Sequence, residues 1–145
     1  MAATPASARE RAFIDRQRVG RLATVDPRGA PSVIPVCYAY DGMYFYTPID
    51  EKPKRRDRPL RRVRNVEATG RAALVIDRYT EDWSRLGWVH ARGRAWLLHP
   101  GAAGHAAAVA LLRDRYPQYR AMALEAAPII VLAPDRITSW GVLDA

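Results

Sequence analysis

The chain has 145 residues and a formal net charge of +8, and its 49% apolar and 26% charged composition favours one folded domain over residues 1–145 rather than disorder. A single cysteine, Cys37, excludes an internal disulfide, and three scattered histidines fit no zinc spacing, so we expect no metal. No apolar run approaches the roughly 18 residues that span a bilayer, and residues 1–10 lack a signal-peptide pattern, which favours a cytoplasmic protein without a membrane partner.

The first predicted element is a helix over about residues 5–18. Thr4-Pro5 fits an N-cap followed by proline at the first helical position, and Gly20 ends the helix. From Arg21 onward, apolar residues recur at every second position, which is typical of strands. The sequence therefore predicts a short opening helix that leads directly into a sheet.

Two turn signals divide the strands that follow. Asp26-Pro27-Arg28-Gly29 fits a type I turn between the first two strands. Asp41-Gly42 fits a two-residue hairpin turn in which both residues take a positive φ, with strands at residues 38–40 and 43–46 on either side. We therefore expect three consecutive antiparallel strands before the second helix.

The second predicted helix opens at Pro59-Leu60, and its apolar side carries Leu60, Val63 and Val66 while arginines occupy its other faces. The remaining elements are strands at residues 71–79 and 86–99, a helix at about 102–115, and strands at 129–132 and 137–140. Gly93 fits a bulge or a close approach of two strands. The many hairpins predict a mostly β (α+β) antiparallel barrel with small helices at its ends.

Most of the excess positive charge lies in residues 51–64. This segment has eight basic and two acidic residues, a local excess of +6. Such a block favours an anionic partner: a phosphate-bearing cofactor, a polyanionic tail, nucleic acid or an acidic membrane surface. Nucleic acid fits least, because the segment has no interleaved aromatic residues and no recognised nucleic-acid motif.

Side chains for covalent or acid–base catalysis are not recognisable in the sequence. It has no Ser-His-Asp signature, no paired carboxylates and no glycine-rich phosphate loop. We therefore assign no catalytic residue. Any redox or group-transfer chemistry would come from a cofactor that the protein binds and orients.

Several runs of sequence together resemble one known family. They are residues 44–54 (YFYTPIDEKPK), 58–66 (RPLRRVRNV), 77–79 (DRY) and 81–84 (EDWS). This pattern is similar to the pyridoxamine 5'-phosphate oxidase-like split-barrel family, and more narrowly to its F420-dependent branch, the flavin/deazaflavin oxidoreductases of class B. The resemblance implies an FMN-binding-protein-like split barrel and a homodimer with two cofactor sites at the subunit interface.

The resemblance also implies which residues bind the cofactor. Pro35, Val36 and Thr47 would line its ring. The phosphate would lie on the basic segment, at one or more of Lys52, Lys54, Arg58, Arg61 and Arg62, with the single phosphate residue left open between Lys54, Arg61 and Arg62.

Four further residues are cofactor-binding candidates with a structural alternative. Trp83 and Trp88 either flank the ring from the neighbouring subunit or are core aromatics at strand ends. Asp77 either contacts the cofactor, caps its loop, or pairs with Arg78 or Arg85. Tyr79, also a candidate for contact with the cofactor, is either a structural residue or an acid or base.

The resemblance implies an F420-dependent oxidoreductase that transfers a hydride between the deazaflavin and a conjugated ketone, quinone or tetrapyrrole-like acceptor. One alternative is an FMN-dependent oxidoreductase on the same scaffold. Another is a non-catalytic protein that binds a flavin, a deazaflavin or haem.

Overall fold

The computed structural model describes residues 3–50 and 59–144. Within them, seven strands form one curled antiparallel sheet in the order β2-β1-β5-β6-β7-β4-β3. The strands are β1 Gly20–Val25, β2 Pro31–Val36, β3 Ala39–Tyr40, β4 Phe45–Pro48, β5 Arg71–Arg78, β6 Gly87–Leu98 and β7 Ile129–Gly141. The helices are α1 Ala8–Arg16, α2 Arg61–Thr69 and α3 His105–Arg115. The predicted mostly β split barrel is confirmed.

Helix α1 begins later than predicted. Ser7, and not Thr4, is its N-cap, because the Ser7 side chain accepts from the Glu10 amide while the Glu10 carboxylate accepts from the Ser7 amide. This capping box satisfies two amides at the helix start. The Thr4 amide instead donates to the Pro134 carbonyl oxygen at 2.7 Å, so the residues before Ser7 lie along β7.

The expectation of three strands before α2 is wrong, because the second predicted strand is divided between the two edges of the sheet. β2 pairs with β1, whereas β3 pairs with β4 at the opposite edge. Tyr38 lies in the short segment that leads from β2 to β3, and its hydrogen bonds hold this segment in place. Its amide donates to the Tyr116 hydroxyl, and its own buried hydroxyl donates to the Ile14 carbonyl oxygen. The curl of the sheet thus brings its two edges close together.

Both predicted hairpins form, but the second turn is longer than expected. Asp41 and Tyr44 close a four-residue loop, and the Asp41 carboxylate accepts from the amides of Met43 and Tyr44. Gly42 has φ 101°, whereas Asp41 has no positive φ. The aspartate side chain therefore replaces the second left-handed residue that a two-residue turn needs.

The last two predicted strands are one strand, β7, with a bulge. The register of β6 against β7 shifts between Arg92 and Gly93, so that Asp135 is the extra residue. A Cβ at Gly93 would lie 2.2 Å from the Ala133 carbonyl oxygen. The predicted bulge or close approach at Gly93 is confirmed, and Pro134 bends the strand without ending it.

The two sides of the sheet differ in character. The inner side packs against α1 and α2 in a cluster that includes Phe13, Ile14 and Val66, and a smaller cluster under α3 includes Leu112 and Ile129. On the opposite side, α3 packs over the end formed by β3, β4 and the start of β7, where Tyr46 and Ile129 belong to the smaller cluster. The rest of that side, called the outer face below, belongs to neither helix-packed cluster of the described residues. Its side chains alternate with the core residues and include Val33, Ala73, Val75, Trp88, His90, Arg92, Arg136, Thr138 and Trp140.

Among the described residues, none of the helices has the length and apolar character to cross a membrane.

Candidate functional site

A cavity of about 420 Å³ lies where the two edges of the curled sheet approach each other. We call it the β2–β4 cavity. Because β2 is an edge strand, residues from both of its faces border the opening. The lining residues are Val19, Ile34, Pro35, Val36, Cys37, Thr47, Pro48, Asp50 and Arg62. The structure therefore brings together four of the predicted cofactor residues, and the cavity volume falls within the range of about 300–1,000 Å³ of small-molecule sites.

Arg62 supplies a buried positive charge to this cavity. It lies in the first turn of α2 and is only 7% exposed, whereas its neighbour Arg61 is exposed. The expectation that the arginines of α2 all occupy its exposed faces is thus wrong for Arg62. The helix turns this residue inward together with Val63 and Val66, which are buried in the core.

The start of α2 adds to the positive potential. Its N-cap is Leu60, which offers no side-chain hydrogen bond, and its first turn has no acidic residue. The free amides of a helix N-terminus carry a partial positive charge that attracts anions. Arg61 and Arg62 at this end therefore oppose the helix dipole, an arrangement that an anionic ligand would stabilise.

Thr47 contributes a buried hydroxyl without a hydrogen-bond partner among the described residues. The residue lies on β4, directly opposite Ile130 of β7, and is 6% exposed. A buried hydroxyl without a partner costs free energy that a polar ligand atom can offset. Thr47 therefore marks a polar contact point in a cavity whose other walls, Pro35, Val36 and Pro48, are apolar.

Asp50 forms the other charged point of the lining. The buried Tyr119 hydroxyl donates to its carboxylate at 2.5 Å. Burial, then the Asp50 carboxylate and the Cys37 thiol, raise the pKa of the Tyr119 phenol above its usual range. Tyr119 thus remains a hydrogen-bond donor that holds Asp50 in place. Sequence analysis missed this pair, because nothing in the residues near Tyr119 points to a partner 69 positions away.

Cys37 also belongs to the cavity. It follows the end of β2 and lies partly exposed in the cavity wall. The chain leaves β2 at this point to cross to the opposite edge of the sheet, and the thiol lies beside Tyr119.

The rest of the predicted phosphate site is only partly described. Lys52, Lys54 and Arg58 lie outside the described residues. Arg61 is exposed at the start of α2 and does not line the cavity. Of the five basic candidates, the structure therefore places Arg62 against the cavity.

The predicted aromatic residues lie elsewhere, on what we call the aromatic surface, formed by Tyr79, Trp83, Trp88 and Trp140. Trp83 is 71% exposed and Tyr79 is 63% exposed, and the Trp83 indole donates to the Tyr79 hydroxyl at 3.3 Å. The core alternative is therefore wrong for Trp83. Trp88 is half-buried on the outer face, directly opposite Trp140, which is 54% exposed.

Asp77 lies beside the aromatic surface and forms an ion pair. Its carboxylate accepts from the Arg21 guanidinium at 2.6 Å. Among the described ion pairs, the partner of Asp77 is Arg21, and the alternative of a pair with Arg78 or Arg85 is not observed there. None of Asp77, Tyr79, Trp83 and Trp88 lines the β2–β4 cavity of the same chain.

No three His, Cys, Asp or Glu side chains in residues 3–50 and 59–144 are grouped closely enough to hold a metal ion. Within the same residues, the cavity therefore offers a buried arginine, a free hydroxyl, a carboxylate and apolar walls, but no preformed metal site. Such a lining can bind and orient an anionic organic molecule.

The sequence matches one known protein family. A family model described as pyridoxamine 5'-phosphate oxidase matches residues 7–141. None of the curated protein sequences matches the chain.

Solved structures share the fold. A protein described as FAD-binding from Mesorhizobium loti has 24% identity and a TM-score of 0.66, and the match covers 96% of this chain and 97% of that one. A conserved hypothetical protein from Mycobacterium tuberculosis has 22% identity and a TM-score of 0.71, with 97% and 88% covered. The heme storage protein HutZ from Vibrio cholerae has 14% identity and a TM-score of 0.68, with 90% of each chain covered.

Proposed function

Because the chain belongs to the pyridoxamine 5'-phosphate oxidase family, we propose that it is an F420-dependent oxidoreductase. It would transfer a hydride between the deazaflavin and a small conjugated ketone, quinone or tetrapyrrole-like acceptor. The observation that carries this proposal is the buried Arg62 in the first turn of α2, facing a cavity with apolar walls and a Thr47 hydroxyl that has no hydrogen-bond partner among the described residues.

The residues of the cavity fit a ring system that carries an anionic chain. Pro35 and Val36 offer an apolar wall, and the Thr47 hydroxyl offers one hydrogen bond to a polar ring atom. Arg62 and the first amides of α2 would hold the phosphate through charge-assisted hydrogen bonds. When bound, F420 supplies the ring carbon that gives or receives the hydride. The chain itself would position the ring and exclude water around it.

Charge favours F420 over FMN. FMN has a single phosphate, whereas F420 has a phosphodiester followed by several glutamate carboxylates. The local excess of +6 over residues 51–64 suits the longer anion. Arginine can bind either phosphate or carboxylate through two parallel hydrogen bonds, so its abundance in this segment suits both kinds of anionic group in the tail.

A homodimer completes this proposal. The outer face exposes large apolar side chains, with Val33 at 63% and Trp140 at 54%, although a soluble sheet normally covers such residues. A second copy packed on the outer face would cover them. It would also bring Trp83 and Trp88, which do not reach the cavity of their own chain, to the cavity of the partner.

The proposal includes a single domain in the cytoplasm, where Cys37 would remain reduced. Hydride transfer needs donor and acceptor held at contact distance without a protein nucleophile. This requirement agrees with a cavity that has one buried cation and no recognisable catalytic triad. We therefore assign binding and positioning roles to the lining residues.

Non-catalytic binding of haem or a flavin is the second candidate, because HutZ is described as a heme storage protein and the Mesorhizobium loti protein as FAD-binding. A haem site usually offers His, Cys, Met or Tyr to the iron. Among the described residues that line the β2–β4 cavity, Cys37 alone belongs to this set. The lining thus favours an organic anion over haem.

A side-by-side titration of the purified apoprotein with F420, FMN and haem tests the proposal. We expect F420 to bind more tightly than FMN, and F420 with longer glutamate tails to bind most tightly at low salt. Tighter binding of FMN would replace the F420 assignment with the flavin alternative. Tighter binding of haem, with a Cys37-dependent absorption band, would favour the storage function.

A further inference from the structure

A second cavity, of about 530 Å³, borders the start of α2. We call it the apolar cavity, because Asp50 is the one polar residue in its described lining. The other described lining residues include Leu60 and Val63 at the start of α2, and Met122 and Leu124 in the segment between α3 and β7. None of the lining residues belongs to the outer face, so the proposed dimer does not need to cover this cavity. Its volume is in the range of small-molecule sites.

The apolar cavity adjoins the β2–β4 cavity. Asp50 lines both of them, and it is the one described residue that the two linings share. The linings also continue one another along the chain, since Pro48 belongs to the β2–β4 cavity and Ile49 to the apolar cavity. A molecule in the apolar cavity would therefore lie beside a ring bound against Thr47 and Pro48, with the Asp50 carboxylate at the junction.

The Asp50 carboxylate gives this junction a negative charge with unused hydrogen-bonding capacity. Within residues 3–50 and 59–144, it receives one hydrogen bond, from the Tyr119 hydroxyl to Oδ2, and it forms no ion pair. An ionised carboxylate has room for about four hydrogen bonds. The remaining capacity can receive an amine or hydroxyl group of a ligand, whereas a carboxylate on the ligand would be repelled.

We propose that the apolar cavity binds an organic molecule with an apolar body and an amine or hydroxyl group, but no carboxylate. The apolar walls would hold the body through the hydrophobic effect, and the amine or hydroxyl group would donate to Asp50. In the proposed enzyme this molecule is the hydride acceptor, so we expect a conjugated ketone or quinone with such a donor group rather than a carboxylate-bearing tetrapyrrole. That role rests on the proposed function, whereas the binding itself does not require F420.

Three probes that share one apolar body test this preference. Phenylbutylamine, phenylbutanol and phenylbutyrate are cationic, uncharged and anionic at neutral pH, and each is titrated calorimetrically into the purified protein without F420. We expect phenylbutylamine to bind about 3-fold or more tightly than phenylbutyrate, with phenylbutanol between them. The net charge of +8 would by itself favour the anion, so this order reports the local effect of Asp50.

Asp50→Asn removes the charge and keeps the size of the side chain. It should lower the preference for phenylbutylamine over phenylbutyrate by about 3-fold or more, so that the two probes bind alike or the anion binds more tightly. Asp135→Asn is the matched control, because Asp135 is exposed at the bulge of β7 and lies outside both described linings. It should keep the preference of the parent within about 2-fold.

Ala126→Trp tests the place of binding. Ala126 is exposed and lines the apolar cavity, so a larger side chain can enter the cavity without repacking the core. The variant should keep the melting temperature of the parent and bind all three probes about 10-fold or more weakly. Ala121→Trp adds the same side chain at an exposed position outside the described lining, and it should bind the probes within about 2-fold of the parent.

Four outcomes would overturn the proposal. Tighter binding of phenylbutyrate by the parent would show that net charge selects the ligand. Equal weakening of all three probes in Asp50→Asn would assign Asp50 to the fold. Unchanged binding in Ala126→Trp would place the probes elsewhere, and no saturable binding of any probe would show that the cavity accepts no ligand. The proposed function fails separately, because a protein that binds the probes in the expected order but does not bind F420 would keep the apolar site and lose the cofactor.

Discussion

The predicted cofactor residues are divided between two regions of the chain, the β2–β4 cavity and the aromatic surface, which we treat as the two halves of one proposed site. The cavity is concave and has a buried cation, a buried hydroxyl and apolar walls, but no aromatic ring among its described lining residues. The aromatic surface exposes three rings, those of Tyr79, Trp83 and Trp140, by 54–71%. A ring-shaped cofactor needs both a charged anchor and a flat partner for its face. Neither half meets both needs alone, so the two halves are expected to meet between two copies of the chain.

The largest expected effect concerns the contact between the two chains of the proposed dimer. Val33→Glu would place an unpaired carboxylate in the face that the proposed dimer buries, and it should weaken dimerisation by about 100-fold or more. Val33 is 63% exposed in one chain, so the monomer should keep its fold. Light scattering over a concentration series measures the effect, and cofactor affinity should fall with it.

Met43→Glu is the matched control for this experiment. Met43 is 37% exposed, but it lies in the β3–β4 loop and not on the outer face. The Met43→Glu variant should therefore dimerise like the parent protein. If Val33→Glu also remains a dimer, the two halves of the site are not joined through the outer face.

A smaller effect is expected inside the cavity half. Arg62→Gln removes a buried charge-assisted contact and should weaken F420 binding by about 5- to 150-fold. Arg61→Gln removes the same charge from the adjacent exposed position and should weaken binding by less than about 3-fold. Fluorescence titration compares the two variants directly. Equal losses would mean that the start of α2 attracts the tail by general charge and that the burial of Arg62 has no role.

Removing the Thr47 hydroxyl should have a still smaller effect, raising the stability of the apoprotein while weakening cofactor binding. Thr47→Val removes a buried hydroxyl that has no partner in the described residues, so the apoprotein should gain about 1 kcal/mol while F420 binding weakens by about 2- to 12-fold. Thr24→Val is the control, because the Thr24 hydroxyl accepts from the Asn65 side chain. It should lose stability and keep its affinity. A stability loss in Thr47→Val would show that the hydroxyl already has a partner.

The parts of the molecule that the sequence predicted are those set by local chemistry. The hairpins at Gly29 and Gly42 and the bulge at Gly93 follow from residues whose φ or missing side chain the turn itself requires. In each of these turns and in the bulge, a few neighbouring residues contain the whole signal. The family resemblance, by contrast, placed Pro35 and Thr47 in one cavity.

The remainder depends on contacts between distant residues. Arg62 and Arg61 are chemically identical neighbours, and only the packing of Val63 and Val66 decides which of them is turned inward. The contact of Asp50 with Tyr119 depends on how α3 and the turn after it pack beside β4. Such choices are tertiary and leave no periodic pattern in the sequence.

A tyrosine behind the cavity should affect the pH dependence of stability differently from one on the aromatic surface. Burial and the Asp50 carboxylate raise the pKa of the Tyr119 phenol, so the folded protein keeps this proton above pH 10, where an unfolded tyrosine loses it. The contribution to stability is therefore complete below about pH 10 and decreases as the pH rises further, by at most about 1.4 kcal/mol per pH unit for one such group. Chemical unfolding of the parent protein between pH 8 and 11 should show this decrease.

Tyr119→Phe should be less stable than the parent at pH 8, because Asp50 loses its hydrogen bond, and its stability should fall less steeply above pH 10. Part of the slope should remain, since burial also raises the pKa of the Tyr38 phenol. Tyr79→Phe removes an exposed phenol from the aromatic surface and should keep the slope of the parent. Equal slopes in the parent and Tyr119→Phe would show that Asp50 and Tyr119 do not hold each other behind the cavity, and the orientation of the Asp50 carboxylate would then need another cause.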